Sequence, residues 1–375
     1  MPHSRNIYLK MKSIEAAKAD LFDGIDVKGR VAAETVSVED AVGHVLHGPV
    51  HAKLSSPPFH AAAMDGVAVS AESTYGASEM HPKRLAVGSE AIFVNTGHVM
   101  PPGTDAVIMI ENIQVIDAHA IEIEAPAFPW QHVRRMGEDI VATELLFPRH
   151  HKITPYCVGA LIAGGISDVQ VIRKPHLLII PTGSELVDHR NATADLSDGR
   201  VLESNSYVLG TLAEKYGAGY TRHEILPDDP AAIRQTVRMA AESNDYDMVL
   251  IVGGSSAGSE DYAREIIAGL GKVRVHGVAM MPGKPTVIGT VNSKPVFGIP
   301  GYPVSAIMAF EQFIAPVISS MLGQSEPPEE TIDAMFRAVK KVAPAVIKGV
   351  NADGFNLGMN NEEAAGQVMF HAHLH

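Results

Sequence analysis

The chain has 375 residues, enough for two or three domains of ~100 to 200 residues each, and 46% of them are hydrophobic, which is ample for large cores. Forty-three acidic residues against 30 basic ones leave a formal charge of −13, which argues against a nucleic-acid groove or an anionic membrane surface as the main partner. Cys157 is the only cysteine, so an intrachain disulfide or a Cys-based zinc site is excluded and a reducing cytoplasm fits.

The N-terminal MPHSRNIYLKMK is basic without a long apolar core. No run approaches the ~18 apolar residues needed to span a bilayer, so a soluble, cytoplasmic protein is expected. Residues 11–46 show recurring apolar positions that predict helix, with Ser13 as a candidate cap. From 50 to about 131 the pattern changes to short β-type runs at 67–70, 91–95, 106–110 and 120–123, punctuated by Pro, Gly, Asn and Asp. Thr154 and Pro155 open a predicted helix ending at Gly164 and Gly165, and a strand at 168–172 follows.

Beyond Pro175 strands and helices alternate. Strands are expected at 177–180, 222–226, 248–252, 273–278, 285–291 and 294–299, with helices at 204–216, 229–242, 259–270 and 303–322. This pattern predicts an open, doubly wound, mostly parallel α/β sheet with helices on both faces. The fold class expected is therefore α/β multidomain. Residues 1–46 and 141–174 would form a helical/β linking domain, 47–140 a β-rich inserted domain, 175–325 the α/β domain, and 326–375 a C-terminal α+β segment.

Three glycine-punctuated turns follow apolar strands between 251 and 305: VGGSSAGSEDY, MPGKP and GIPGYPVSA. Ligands of such sheets bind beyond the carboxyl ends of the strands, where backbone N–H groups and helix N-termini favour anions. Asp261, Lys284 and Ser305 in these turns point to a phosphate-type site, although glycine and proline also close ordinary βα connections. Asp65 before Gly66 has a competing reading as a turn pair, Thr96 as a turn hydroxyl and Glu185 as a solvated residue after a turn. Of Asp228 and Asp229, which precede Pro230, Asp229 is the better N-cap. Arg134 and Arg135 read as a solvated loop pair.

The motifs PPFHAAAMDGVAV, NTGHVMPPGTDAVIMIEN, RRMGEDI, IIPTGSELV, ESNSY, PDDP, GGSSAGSEDY, PGKP and GIPGYPVSA occur in one order. With them the chain resembles the molybdopterin molybdenumtransferases, of the MoeA and gephyrin E-domain type, over roughly residues 8–323. The resemblance implies a molybdopterin-binding α/β domain and insertion of molybdate into adenylyl-molybdopterin with release of AMP, dependent on Mg²⁺. It implies a homodimer whose site lies between the β-rich domain of one subunit and the α/β domain of another, and leaves room for other molybdenum cofactor biosynthesis proteins as partners. Catalytic roles would fall to Asp65, Thr96, Asp261 and Lys284. Substrate or phosphate contacts would come from Glu185, Asp228, Gly253, Gly254, Ser256, Gly258, Pro300, Gly301, Pro303 and Ser305. The hard oxygens of Asp65, Glu185 and Asp261 suit Mg²⁺.

Three positions depart from that family's pattern. His60, Ala61 and Ala62 stand where an Asp-Asn-Ser run is usual, Met281 replaces a second lysine, and Tyr302 replaces the Asn of the GNPVS turn. These leave open tungstate or a modified pterin as the substrate, or a non-catalytic pterin-binding or scaffold protein. From about residue 326 the chain reads as a charged helix and then DGFNLGMNNEEAAGQVMFHAHLH, which resembles the second half of a histidine triad (HIT) domain. Asn360 and Gln367 would match ribose and phosphate contacts, and period-two spacing puts His371, His373 and His375 on one strand face, with His373 as nucleophile. A HIT-type nucleotide hydrolase, a metal-binding tail and an inert segment are the alternatives there.

Overall fold

The structure is a computed structural model, which describes residues 11–23, 31–191, 199–253 and 262–324. Its largest sheet has six strands: β1 (His176–Pro181), β2 (Gly219–Arg222), β3 (Met248–Val252), β4 (Lys272–His276), β5 (Val287–Val291) and β6 (Lys294–Ile299). They lie in the order β2-β1-β3-β6-β5-β4. β1 is parallel to β2 and β3, and β3 to β6, while β5 runs antiparallel to both neighbours. Strands buried on both faces read as continuous apolar runs, and β1 shows how one such run serves two layers. Leu177 and Ile179 enter one core with helix α1 (Asn205–Lys215), whereas Leu178 and Ile180 enter the other with α2 (Pro230–Glu242) and α3 (Tyr262–Leu270).

Two expected elements differ. The strand placed at 222–226 is instead Gly219–Arg222. It ends where the Arg222 side chain turns toward Glu203 and Asp188, and the following segment peels away until Leu226 bridges Thr182. The helix expected over 11–46 is confined, among the described residues, to Ile14–Asp23, where the Ser13 hydroxyl accepts the Ala16 amide at 3.2 Å. Further on, Ala33–Ser37 is a strand antiparallel to Asp168–Ile172, with Val45–Leu46 on the far side. β-branched Thr35 and Val36 find strand partners there, which outweighs the helical spacing. Helix Ile14–Asp23 also buries Ala17 and Leu21 in the six-stranded sheet's core, which Val31, Val45 and Ile172 of the linking segment also enter.

In the β-rich part, Gly66–Val69 is the middle strand between Ala91–Val94 and Ala106–Met109, and Ala120–Ile123 lies between Lys83–Ala86 and Ile113–Asp117. Val67, Val69, Leu85, Ile108, Ile121 and Ile123 close its core. The linking segment packs helix Pro155–Ala163 on Val38, Leu46 and Val171; Thr154 stands at its N-cap and Gly165 adopts φ +76° after its end.

Pro303–Met321 forms one 19-residue helical stretch with mean hydropathy 1.4, long and apolar enough to cross a membrane by length and composition. The sequence places a helix at 303–322, in which Glu311 and Gln312 interrupt the apolar residues. In this fold 67% of that stretch is buried, with Phe310, Phe313 and Ile314 fully inside the core, so it is a central packing helix.

Candidate functional site

The turns after β1, β3 and β6 meet at the carboxyl edge of the sheet. Gly253, at φ +98°, donates its amide to the Ile299 carbonyl at 3.0 Å, and a Cβ there would stand 2.3 Å from the Thr182 carbonyl oxygen. A Cβ on Gly301 would in turn lie 3.8 Å from the Gly253 Cα. Only glycine lets three backbones approach so closely at this conformation. Pro300 is buried, Gly301 and Pro303 are exposed, and Ser305 is buried beneath the first turn of the helix that Pro303 opens. Tyr302, 82% exposed, projects at the mouth.

Asp228 and Ser184 tie the turn after β1 to that after β2. The Ser184 amide donates to Asp228 Oδ2 at 3.0 Å, and the Asp228 amide donates to the Ser184 hydroxyl at 3.2 Å. Asp229 caps α2 by accepting the Ala231 amide at 2.9 Å, as its position before Pro230 predicts. The Glu185 carboxylate folds back over Gly183, where an added Cβ would meet its Oε1 at 2.8 Å.

Lys284 lies half-buried in the hairpin turn between β4 and β5. That turn is fixed through its backbone: the Val278 amide donates to the Lys284 carbonyl at 2.9 Å and the Gly277 amide to the Thr286 carbonyl at 3.0 Å. Lys12, on the segment before the first helix, pairs beside it in parallel with Val278 and accepts the Ala279 amide at 2.7 Å. Met281 is 88% exposed at the tip.

On the β-rich side Asp65 and Thr96 come together. The Thr96 amide donates to Asp65 Oδ1 at 2.6 Å and its hydroxyl to the same oxygen at 3.0 Å. These two bonds, followed by the nearby His98, hold the Asp65 carboxyl below its ordinary value. Gly66 is not half of a turn, as an Asp-Gly pair would suggest, but the first residue of the middle strand. A Cβ on it would fall 1.9 Å from the Ile108 carbonyl oxygen, so close backbone approach requires the glycine. Arg134, expected to be solvated, forms an ion pair with Asp139 at 2.5 Å.

ESNSY contributes more than its sequence announces. Asn205 Nδ2 donates to the Gly301 carbonyl at 2.7 Å, anchoring the PGYP turn. Glu203 is 4% exposed and accepts from the Ser206 amide at 2.8 Å and from Arg222 Nη2 at 3.1 Å. Arg222 also pairs with Asp188 at 3.0 Å and sits 4.7 Å from the centre of the Tyr207 ring. Buried charges need such partners, and the polar residues of the motif gave no sequence signal of which charges they meet. The Arg190 amide, then Arg222, hold the Asp188 carboxyl below its ordinary value.

Gly254, Ser256, Gly258 and Asp261 lie outside the described residues, as do Asn360, Gln367, His371, His373 and His375. Among the described residues no three of His, Cys, Asp or Glu gather as a metal-holding group. A cavity of ≈ 540 Å³ lined by His150, Lys152, Lys215, Tyr216 and Gln324 sits at the opposite, amino edge of the sheet, away from these turns. Sheets of this kind bind ligands at the other edge.

Residues 12–165 match the family described as "MoeA N-terminal region (domain I and II)", 178–320 the "Probable molybdopterin binding domain", and 320–375 the "HIT domain". Molybdopterin molybdenumtransferase 2 of Mycobacterium tuberculosis is 32% identical over 78% of this chain and 76% of its own length. The molybdopterin molybdenumtransferase of a Nostoc species is 30% identical over 86% of this chain and 77% of its own. The crystal structure of the molybdopterin biosynthesis MoeA protein of Pyrococcus horikoshii superimposes with a TM-score of 0.73 at 32% identity, covering 84% of this chain and 81% of that one. With its glycine-lined carboxyl edge, its Asp65–Thr96 pair and these relatives, the chain belongs to the MoeA family of molybdopterin molybdenumtransferases.

Proposed function

We propose that this protein acts in molybdenum cofactor biosynthesis as a molybdenumtransferase, inserting molybdate into adenylyl-molybdopterin with release of AMP. The observation that carries this reading is the meeting of Thr182, Gly253 and Gly301 at the carboxyl edge of the sheet, where a Cβ on Gly253 would stand 2.3 Å from the Thr182 carbonyl oxygen. Backbone so closely gathered brings the helix start that Pro303 opens up to a phosphate without side chains in the way. Lys284, on its backbone-fixed turn, supplies a cation that counters phosphate or molybdate charge as it redistributes when AMP leaves. Asp228 holds the Ser184 turn in place and so shapes the wall of the site.

Asp65, with one oxygen held by Thr96, stays ionised at neutral pH and presents a fixed carboxylate on the β-rich side. The available donors are all carboxylate oxygens, the type a hard divalent cation takes. Asp65, Glu185 and Asp261 would hold Mg²⁺, which would supply neutralisation of phosphate charge when bound. Because Asp65 belongs to the β-rich part and Lys284 to the α/β part, a homodimer that completes the site across subunits is the arrangement we infer. A cytoplasmic location accords with the single cysteine.

The test is AMP release from adenylyl-molybdopterin by the purified chain. Release that needs both molybdate and Mg²⁺ and is lost in Asp261→Ala is expected. Tight pterin binding with no AMP release would mean a carrier or scaffold instead.

A further inference from the structure

We propose that His60 and Trp130 form a stacking platform for a planar heterocycle of the substrate, set beside the Asp65–Thr96 pair. This rests on the molybdopterin reading and deepens it, by assigning a recognition surface to Trp130 and to His60, which stands in place of part of the family's usual Asp-Asn-Ser run.

Three observations carry it. The two rings lie with centroids 4.8 Å apart and planes at 50°, an open wedge rather than a closed stack. The Met136 amide donates to His60 Nδ1 at 3.0 Å, which fixes the ring orientation and makes Nδ1 the acceptor, so in the neutral ring the proton sits on Nε2. Trp130 leaves 42% of its surface exposed, and its backbone is in the left-handed region at φ 67°, a conformation that a bulky side chain adopts only at a cost in free energy. The Trp130 amide bonded to the Asp105 carbonyl at 2.7 Å holds it there. An exposed aromatic kept in a costly backbone conformation is an outlier from which a ligand-binding role is inferred.

The platform is joined to the candidate site by backbone. Ala61 and Ala62 pair with Arg134 and Val133 on one side, while the Ala62 amide donates to the His98 carbonyl at 2.9 Å and the Gly97 amide to the Ala62 carbonyl at 2.8 Å on the other. The turn that carries Thr96 is thus bonded to the strand that follows His60. Asp65 lies five positions after His60, so at most about 18 Å of extended chain lies between them. A substrate with a ring system at each end of a phosphate bridge can engage both. Aromatic surfaces hold such rings by stacking that depends little on ring identity.

Trp130 is the only tryptophan, so its fluorescence in the full chain reports the platform directly. AMP and an oxidised pterin phosphate are titrated separately, with inorganic pyrophosphate as a ring-free control. Saturable quenching by one of the two ring ligands and not by pyrophosphate is expected, and the arm that quenches says whether adenine or pterin occupies the platform. Calorimetric affinity for that ligand should fall about tenfold in His60→Ala and in Trp130→Ala. Trp130→Gly, which suits the left-handed backbone, should show the same loss with a native circular dichroism spectrum. No quenching in either arm, or unchanged affinity in folded Trp130→Gly, overturns the proposal. So does quenching that tracks protein concentration without ligand, which would assign Trp130 to a contact between copies. AMP release with an unaltered KM in these variants would leave the transferase reading standing and the platform refuted; quenching without any AMP release would do the reverse.

Discussion

Thr96 gives both its amide and its hydroxyl to a single oxygen of Asp65, at 2.6 and 3.0 Å. A carboxylate fixed by two donors on one oxygen keeps its other oxygen aimed, and both donors favour the ionised form over the acid.

Removing the threonine hydroxyl should therefore raise the Asp65 pKa toward its ordinary value, while the amide of residue 96 continues to lower it. Because the folded value is depressed, the Thr96 interaction is fully present above the unfolded-state value and is lost as pH falls through the lower folded value. Carboxyl carbon shifts followed by NMR through an acid titration should show Asp65 titrating later in the native protein than in Thr96→Val. Coincident curves would show that the hydroxyl bond does not form in solution.

Lys284→Met should leave stability almost unchanged, since the turn is held by the Val278 and Gly277 backbone bonds and not by the amine. Affinity for inorganic pyrophosphate, measured by calorimetry, should fall about 10- to 100-fold, as expected when a charged hydrogen-bonding group is lost. An unchanged affinity would remove Lys284 from the site.

Gly66→Ala tests backbone proximity in the β-rich part. Its new Cβ would meet the Ile108 carbonyl oxygen at 1.9 Å, whereas Gly48 has nothing within 4 Å. Urea unfolding should show a loss of about 3 kcal/mol or more for Gly66→Ala and less than about 0.5 kcal/mol for Gly48→Ala. Equal effects would argue that the strand relaxes to admit a methyl group.

The Ser184–Asp228 pair predicts coupled loops. Ser184→Ala and Asp228→Asn, alone and together, should be non-additive by about 1 kcal/mol in a double-mutant cycle on ligand affinity. Additive changes would show that the turns after β1 and β2 respond independently.

Much of the fold was legible because burial leaves a period. The runs 177–180 and 248–252 are apolar without interruption, 294–299 is apolar after Lys294, and each is a strand close to those limits. Misreadings came where pairing competes with local pattern. Thr35 and Val36 sit in a stretch with helical spacing, and what makes them a strand is Asp168–Ile172, more than 130 residues later. The mouth of the site was legible through glycine, since Gly253 occupies a place no other residue fits. Its supports were hidden. Nothing in Glu203 or Arg222 alone announces that the two meet across the gap between α1 and β2, and Gly66 read as a turn residue because proximity to Ile108 has no local trace.

Strand β1 sends Leu177 and Ile179 into one core and Leu178 and Ile180 into the other. Inserting or deleting one residue in it would exchange both layers at once, with every side chain arriving at the wrong face. The strands thus tolerate changes of volume but not of length, and divergence in what the protein binds is channelled into the segments joining them. His60, Met281 and Tyr302, the three departures from the family's usual residues, all lie in such segments.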